Sequence, residues 1–494
     1  MTAKNSTQPS YSKVACIGAG LSATALGATL KRWYQIDDIR IFERRPAAGG
    51  TWEANTYPGC ACDVPSALYS FSFALNPNWT KLMPLSKEIR EYHEGVIDAY
   101  NLRDRITVST AVIKCIWQEN CSRWLLFLKD VETGREFTHE CQVLFSAIGL
   151  LAEPRMCDFP GQESFKGHIF HSARWNHDVS LEGKNVVVIG NGCTATQIVP
   201  AIANGVKSLT QIVRSKHWIM PSINFRYHPI MPWIFRNIPL TMRLWRFLVY
   251  LGAEQAFPMF YMTERATVLR QKKRARTEKF MRSSAPEKYH DVLIPDFEIG
   301  CKRRIFDSGY LKSLHNENLL LTDSKLLQIA PDGLRTSDGF VPADVIVLAT
   351  GFDTKKYLSE NMAIFGRGGK SIGEHWAEYG GPEAYNSSAM HGFPNFFMVL
   401  GPNTATGHTS ALMATENAVN YALRILKPVL TGNATSVEVK QEAESIYVDK
   451  VHAALKDTVF HSGCRSGLEW HNISLAAVLL LVSKLIPTLV RLDD

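Results

Sequence analysis

The sequence predicts an α/β chain of two parallel-sheet units, the second inserted in the first. Three observations carry that reading. A glycine-rich turn between an apolar strand and a helix opens at Lys13. The same design returns at Lys184. Two apolar strands then end alike, "VLFSAIG" at Gly149 and "VIVLATG" at Gly351, and bracket the second unit. Strands alternating with helical patterns specify a parallel sheet covered by helices.

In "KVACIGAGLSATALGATLKR", Val14 to Ile17 read as a short buried strand and an amphipathic helix follows. Gly18, Gly20 and Ala23 form G-x-G-x-x-A between them. Gly18 permits the tight turn, Gly20 lets the backbone approach a pyrophosphate, and Ala23 is small enough for helix–strand packing. The helix N-terminus adds the positive end of its dipole. The next strand, "DIRIFERR", reaches Glu43, 25 residues beyond Gly18. A carboxylate there can accept hydrogen bonds from a ribose 2′-OH.

The second unit, "KNVVVIGNGCTATQIVPAIA", repeats the arrangement with Gly190, Gly192 and Ala195. Its following strand ends at Arg214 and Ser215, with Arg214 24 residues beyond Gly190. A cation where an acid would repel suits the 2′-phosphate of NADP, and Lys216 can assist. A solvated surface arginine is the plainer alternative for Arg214. Two Rossmann-like dinucleotide-binding domains, one for a plain ribose and one for a phosphorylated ribose, point to FAD and NADPH as the pair. The chain then divides into residues 1–151 and 352–494 for the FAD domain. Residues 152–217 and 297–351 form the NADP domain, and residues 218–296 form a helical insertion.

Composition bounds the rest. The chain has 494 residues, an ordinary globular balance of apolar and charged residues, and a net charge of +7. That excess suits an anionic cofactor and is too small to argue for nucleic acid. Ten cysteines lack regular spacing and the N-terminus is polar, so reduced thiols and a cytoplasmic location are expected. The apolar C-terminal run, Leu475 to Val482, is far short of the roughly 18 residues of a spanning helix. It is expected to be a buried terminal helix, with membrane contact the minor alternative. Within the insertion, residues 232–262 are rich in aromatics and helix formers and are expected to roof the substrate site. Residues 264–282 carry eight Lys/Arg against two Glu, which reads as a solvated helix face.

One segment lies between the two units: Phe165-x-Gly167-x-x-x-His171-x-x-x-Trp175. It resembles the signature of Baeyer–Villiger monooxygenases, the FAD- and NADPH-dependent class B flavin enzymes. Related N- and S-oxygenating enzymes carry Tyr or Phe in place of the tryptophan, so Trp175 favours the Baeyer–Villiger branch. Asn176 stands where the family has Pro or Asp. The resemblance extends through "GGTWEANTYPGCACDVPSALYSFSF" from Gly49, "GCKRRIFDSGYL" from Gly300 and "NFFMVLGPN" from Asn395.

The resemblance implies a cycle in which a C4a-peroxyflavin, formed with O2, attacks a ketone and yields an ester or lactone. It places Arg303 beside the flavin as the fixed cation and Asp63 as its carboxylate partner. Arginine stays charged where a buried lysine can lose its proton, and one such donor is worth roughly 2.7–4 kcal/mol. Arg304 is the rival by adjacency. Lys302 is implied at the NADP phosphate, Gly50, Thr51, Trp52 and Asn403 on the flavin side, and Val112 beside adenine. The signature segment is expected to act as a linker, with Gly167 giving backbone freedom and His171 either structural or chemical. No metal is assigned. Cys60-Ala61-Cys62 reads as two packed thiols rather than a redox dithiol, which normally has Cys-x-x-Cys or wider spacing. The ketone is expected to be hydrophobic. Two rival readings stand: an N- or S-oxygenating flavin monooxygenase, and a non-oxygenating reductase or silent binding protein.

Overall fold

The structure is a computed structural model that describes residues 9–353, 362–404, 408–461, 469–470 and 473–474. The apolar run from Leu475 lies outside the described residues. Two sheets organise the chain, as the paired motifs require. The larger has eight strands. In spatial order they are Ala363–Phe365, Thr110–Gln118, Arg123–Asp130, Glu136–Ser146, Ser10–Ile17, Ile39–Phe42 and Ile106–Thr107, with Phe396–Met398 also pairing with Glu136–Ser146. Ser10–Ile17 is flanked by parallel neighbours on both sides. It lies in the sheet centre, which is why Val14, Ala15 and Cys16 are wholly buried.

The second sheet is entirely parallel: Leu319–Thr322, Ser208–Ile212, Asn185–Ile189, Val345–Leu348 and His168–His171. All its strands lie between Ser146 and Ala363, so the second unit interrupts the first sheet. Helices Leu21–Tyr34 and Cys193–Ile202 follow the two glycine turns. Ala23 and Ala195 are 1% and 0% exposed, the close packing their small size was expected to serve. The insertion between Ile212 and Leu319 is mainly helical, with helices Ile230–Asn237, Thr241–Glu254, Glu264–Ser284 and His290–Leu293.

The signature segment departs from the expected linker. His168–His171 is the edge strand of the second sheet, in register with Val345–Leu348. Gly167 has no unusual backbone angle; a Cβ there would lie 2.2 Å from the Asp344 carbonyl oxygen and 2.7 Å from the Phe165 ring. Its missing side chain permits close packing rather than freedom. The true crossings between the units are residues 147–155 and 350–353, which run side by side. Arg155 N–H donates to the Gly351 carbonyl, and Asp353 N–H to that of Glu153.

Thiols also differ in one position from expectation. Eight described cysteines are free, including Cys60 and Cys62, but Cys301 is disulfide-bonded. Among the described residues no helix is long and apolar enough to cross a membrane.

Candidate active site

The first glycine turn is shaped by what presses on it. Gly18 sits at φ +94°, and a Cβ would come within 2.9 Å of the Ala147 carbonyl oxygen. Gly190 repeats this at φ +135°, with a Cβ 2.2 Å from the Ala349 carbonyl oxygen. Each unit therefore folds its turn against the end of its own closing strand, and only glycine fits. At the next position, a Cβ on Gly50 would lie 2.9 Å from the Cα of Gly20. Two bare backbones meet there and leave room for a pyrophosphate. Around Gly192 nothing lies within 4 Å of a Cβ position, so the second turn is open.

A cleft of about 180 Å³ runs from the first turn. Gly18, Glu43, Gly50, Thr51 and Val112 all line it. The structure thus brings together residues spread over a hundred positions that the sequence assigned to one dinucleotide. Glu43 is 6% exposed. Its two oxygens accept from the Ala19 and Arg45 backbone N–H groups at 2.8 and 2.9 Å. Each oxygen keeps a lone pair for a ribose hydroxyl. Val112 flanks an irregularity in the pairing of strand Thr110–Gln118 and lines the cleft. Trp52 does not line this cleft; its indole N–H donates to the Tyr69 hydroxyl at 3.0 Å and the two rings pack edge to face. Asn403 is buried at φ +65° and donates to Glu383 at 2.7 Å. Glu383 in turn pairs with His452 at 2.8 Å.

At the second turn, Arg214 is exposed. Asn191, inside the turn, donates to the Ser215 carbonyl at 3.1 Å and draws the Arg214–Ser215 corner over the glycines. Lys302 lies over the Phe297 ring at 4.6 Å. It is close enough to His217 that its charge, after burial, helps lower that histidine to about 4.

Arg303 and Asp63, 240 residues apart, form a two-pronged ion pair. Arg303 Nε donates to one Asp63 oxygen at 2.8 Å and Nη2 to the other at 2.6 Å. Parallel charge-assisted bonds of this kind fix orientation as well as charge. Burial pushes the Asp63 carboxyl up, but the Arg303 charge and hydrogen bonds outweigh it and hold the group below the usual carboxylate range. The Asp63 charge raises Arg303 in return. Both stay ionised. Half of the Arg303 side-chain surface is open although protein surrounds it at longer range, and neither Arg303 nor Asp63 lines the cleft at the first turn. Arg304 has a different setting: burial first, and then the Arg303 charge, lower it.

The loop carrying Asp63 is held from both units. Cys62 N–H donates to the Pro84 carbonyl. Gln197, on the helix after the second turn, accepts from the Tyr57 hydroxyl at 2.9 Å and donates to the Ala61 carbonyl at 3.1 Å. Sequence reasoning missed Gln197, Asn191 and Glu383. Their roles are made by contacts across the fold, and no local spacing announces them. Burial pushes both the Cys60 and Cys62 thiols up, which leaves them protonated and inert.

His171 is 1% exposed and fully engaged. Its Nδ1 accepts from Ala173 N–H at 3.0 Å, so Nε2 carries the hydrogen and donates to the Gly351 carbonyl at 2.9 Å. That carbonyl also receives Arg155 N–H, so the histidine staples the paired crossings. Burial lowers its pKa and keeps it neutral. Trp175 packs edge to face on Phe170, and Phe165 packs against the cluster around Val187 and Ile212.

Two nested dinucleotide units with an anchored cation between them define a two-nucleotide oxidoreductase. Residues 12–252 match the model of the flavin-binding monooxygenase-like family. A Baeyer–Villiger monooxygenase of Pseudomonas aeruginosa is 34% identical over 475 residues, covering 93% of this chain and 87% of the relative. One from Streptomyces coelicolor is 35% identical, covering 91% and 85%. The solved structure of an oxidized steroid monooxygenase bound to NADP superposes with a TM-score of 0.81 at 26% identity, over 97% of this chain and 98% of that one. The chain belongs to the Baeyer–Villiger monooxygenases, NADPH-dependent flavin enzymes.

Proposed function

We propose that this chain uses FAD and NADPH to insert one oxygen atom from O2 beside the carbonyl of a hydrophobic ketone, giving an ester or lactone. The residues present fit both cofactors. In the Gly18–Gly20–Gly50 cradle a side chain at Gly18 or Gly50 would meet backbone at 2.9 Å, which leaves bare backbone for a pyrophosphate. The buried Glu43 suits a ribose hydroxyl, and the exposed Arg214, with Ser215 and Lys302, suits a 2′-phosphate. Bound FAD supplies the oxygen chemistry and bound NADPH the hydride.

The observation that carries the proposal is the Arg303–Asp63 pair. Oxygen insertion at a ketone builds negative charge on the carbonyl oxygen. Arg303 offers a permanent, half-open cation, oriented before substrate arrives, so little reorganisation is needed. Asp63 holds the guanidinium in place and tempers its charge. His171 has no proton to give without breaking the Gly351 bond, and it acts as a structural staple. An apolar cluster of Phe257, Phe260, Cys301 and Val459 adjoins the Cys301–Arg303 loop and supports a hydrophobic ketone.

Arg303→Ala tests this reading. The variant keeps FAD and still lets NADPH reduce it without oxygen, while mass detection finds no ester or lactone from a ketone that the parent converts. Undiminished product would remove Arg303 from the reaction. Product from a thioether or amine, with none from any ketone in the parent enzyme, would favour the N- or S-oxygenating reading.

A further inference from the structure

Two neighbouring helices of the insertion carry large apolar residues on their open side. Ile230–Asn237 and Thr241–Glu254 contain no buried residue. In the second, Leu244, Phe247, Leu248 and Leu251 fall at i, i+3, i+4 and i+7, the spacing of a core-facing stripe. They are instead 57%, 54%, 51% and 44% exposed. The opposite side anchors the helix: Trp245 donates to the Tyr227 hydroxyl, Arg246 donates to the Ala67 and Ser70 carbonyls, and Val249, Tyr250 and Ala253 pack on the main core. Ile223, Phe225, Ile230, Trp233, Ile238 and Leu240 extend the outward apolar surface, each between 44% and 69% exposed. A contiguous apolar face of this kind marks an interaction surface.

The charge around it selects the partner. No Asp or Glu occurs from Ser215 to Ala253. Arg226, Arg236 and Arg243 are exposed in the same stretch. Helices of eight and 14 residues are far shorter than the roughly 20 needed to span a bilayer. Leucines and aromatics on one side, a tryptophan at the edge and arginines without acids suit a helix pair lying in a membrane interface.

We infer that helices Ile230–Asn237 and Thr241–Glu254 dock this enzyme on an anionic lipid surface. Leu244, Phe247, Leu248 and Leu251 enter the acyl boundary, and Arg226, Arg236 and Arg243 meet lipid phosphates. The inference is independent of the substrate and of Arg303.

Flotation of the FAD-loaded full chain tests it, with vesicles of equal phosphatidylcholine and phosphatidylglycerol, and with phosphatidylcholine alone. The parent protein floats with the anionic vesicles, less with the neutral ones, and less in high salt. Phe247→Glu with Leu248→Glu lowers the bound fraction about tenfold or more, because apolar burial is lost and two like charges are added. Arg226→Gln with Arg243→Gln removes the preference for anionic vesicles. Flavin content and melting temperature check that each variant is folded, and the salt response of the parent protein needs no variant. A parent protein that stays unbound to both vesicles overturns the inference. So does flotation unchanged by Phe247→Glu with Leu248→Glu, which would put the anchor elsewhere in the chain. A dimer broken by that same double change, with no vesicle binding, would assign the face to a second copy.

Discussion

The two glycine turns share a backbone plan and differ in how they are closed. At the first, the following acid is sunk in the protein: Glu43 is 6% exposed and accepts a bond each from the Ala19 and Arg45 backbone N–H groups. At the second, the following cation is exposed, and only Asn191 ties its corner to the turn. The first is closed over by Gly50, whereas space around Gly192 is empty. The proposed FAD cradle is the more enclosed, as retention through many turnovers requires. The proposed NADPH cradle is the more open, as exchange requires. That division matches an enzyme that keeps its flavin and consumes its nicotinamide.

The largest effect should come where the two turns are most alike. Gly190→Ala places a Cβ 2.2 Å from the Ala349 carbonyl oxygen at φ +135°. Backbone strain and overpacking together cost about 2–6 kcal/mol. Gly18→Ala meets its carbonyl at 2.9 Å and φ +94°, so it should cost less. Thermal melting of both variants checks the order. A Gly18→Ala variant less stable than Gly190→Ala would break the view that the second turn is the tighter of the two at this point.

Acid should separate the units next. Burial lowers His93 and His139 of the first unit from 6.5 to about 4. As pH falls, the unfolded chain takes up these protons first. The stability they carry is full above 6.5 and lost as pH drops toward 4. Each costs about 2 kcal/mol by pH 5. His139→Asn cannot titrate and can still bond Ser10 and Ser12, so it should recover about that much at pH 5 relative to pH 7. His217 of the second unit is also lowered to about 4, by burial and the Lys302 charge, but the residue as a whole is less buried than His93 or His139. His217→Asn should therefore recover less. Denaturant melts at both pH values measure the difference.

The sequence carried the parts of this plan that repeat locally. Gly18 and Gly190, Ala23 and Ala195, and the strands ending at Gly149 and Gly351 each follow from residue size and spacing, and the nested sheets follow from them. Arg303 and Asp63 were legible only through a family resemblance, since 240 residues separate them and no periodicity links them. Gln197, Asn191 and Glu383 left no trace, because a lone amide or acid in a helix or loop has the same appearance wherever its partner lies. The signature segment was misread in one respect. A glycine in a segment expected to link two domains suggests freedom, whereas Gly167 is there because the Asp344 carbonyl comes so near. Nor does hydropathy tell an inward stripe from an outward one, as Leu244 to Leu251 demonstrate.

Glu43→Gln sharpens the retention side. The amide can still accept one of the two backbone N–H groups but presents an NH2 to the other. A hydrogen bond to a charged group is worth about 1.5–3 kcal/mol. The variant should release FAD on dialysis that leaves the parent enzyme saturated, which free-flavin fluorescence records. Hydride donation from NADPH to the flavin that remains should be unchanged.

The smallest effect belongs to the exchanging side and decides what that side recognises. Arg214→Ala removes an exposed guanidinium whose proposed partner is the 2′-phosphate alone. The Michaelis constant for NADPH should rise about tenfold or more, equivalent to about 1.4 kcal/mol, and that for NADH should barely move. Raised salt should weaken NADPH binding in the parent enzyme and have less influence in the variant, because the lost contact is between exposed charges. Equal rises for both nucleotides would mean that Arg214 supports the turn through the Ser215–Asn191 contact rather than reading the phosphate. In that case Lys216 and Lys302 become the candidates for phosphate recognition, and Asn191→Ala should then reproduce the same equal rise.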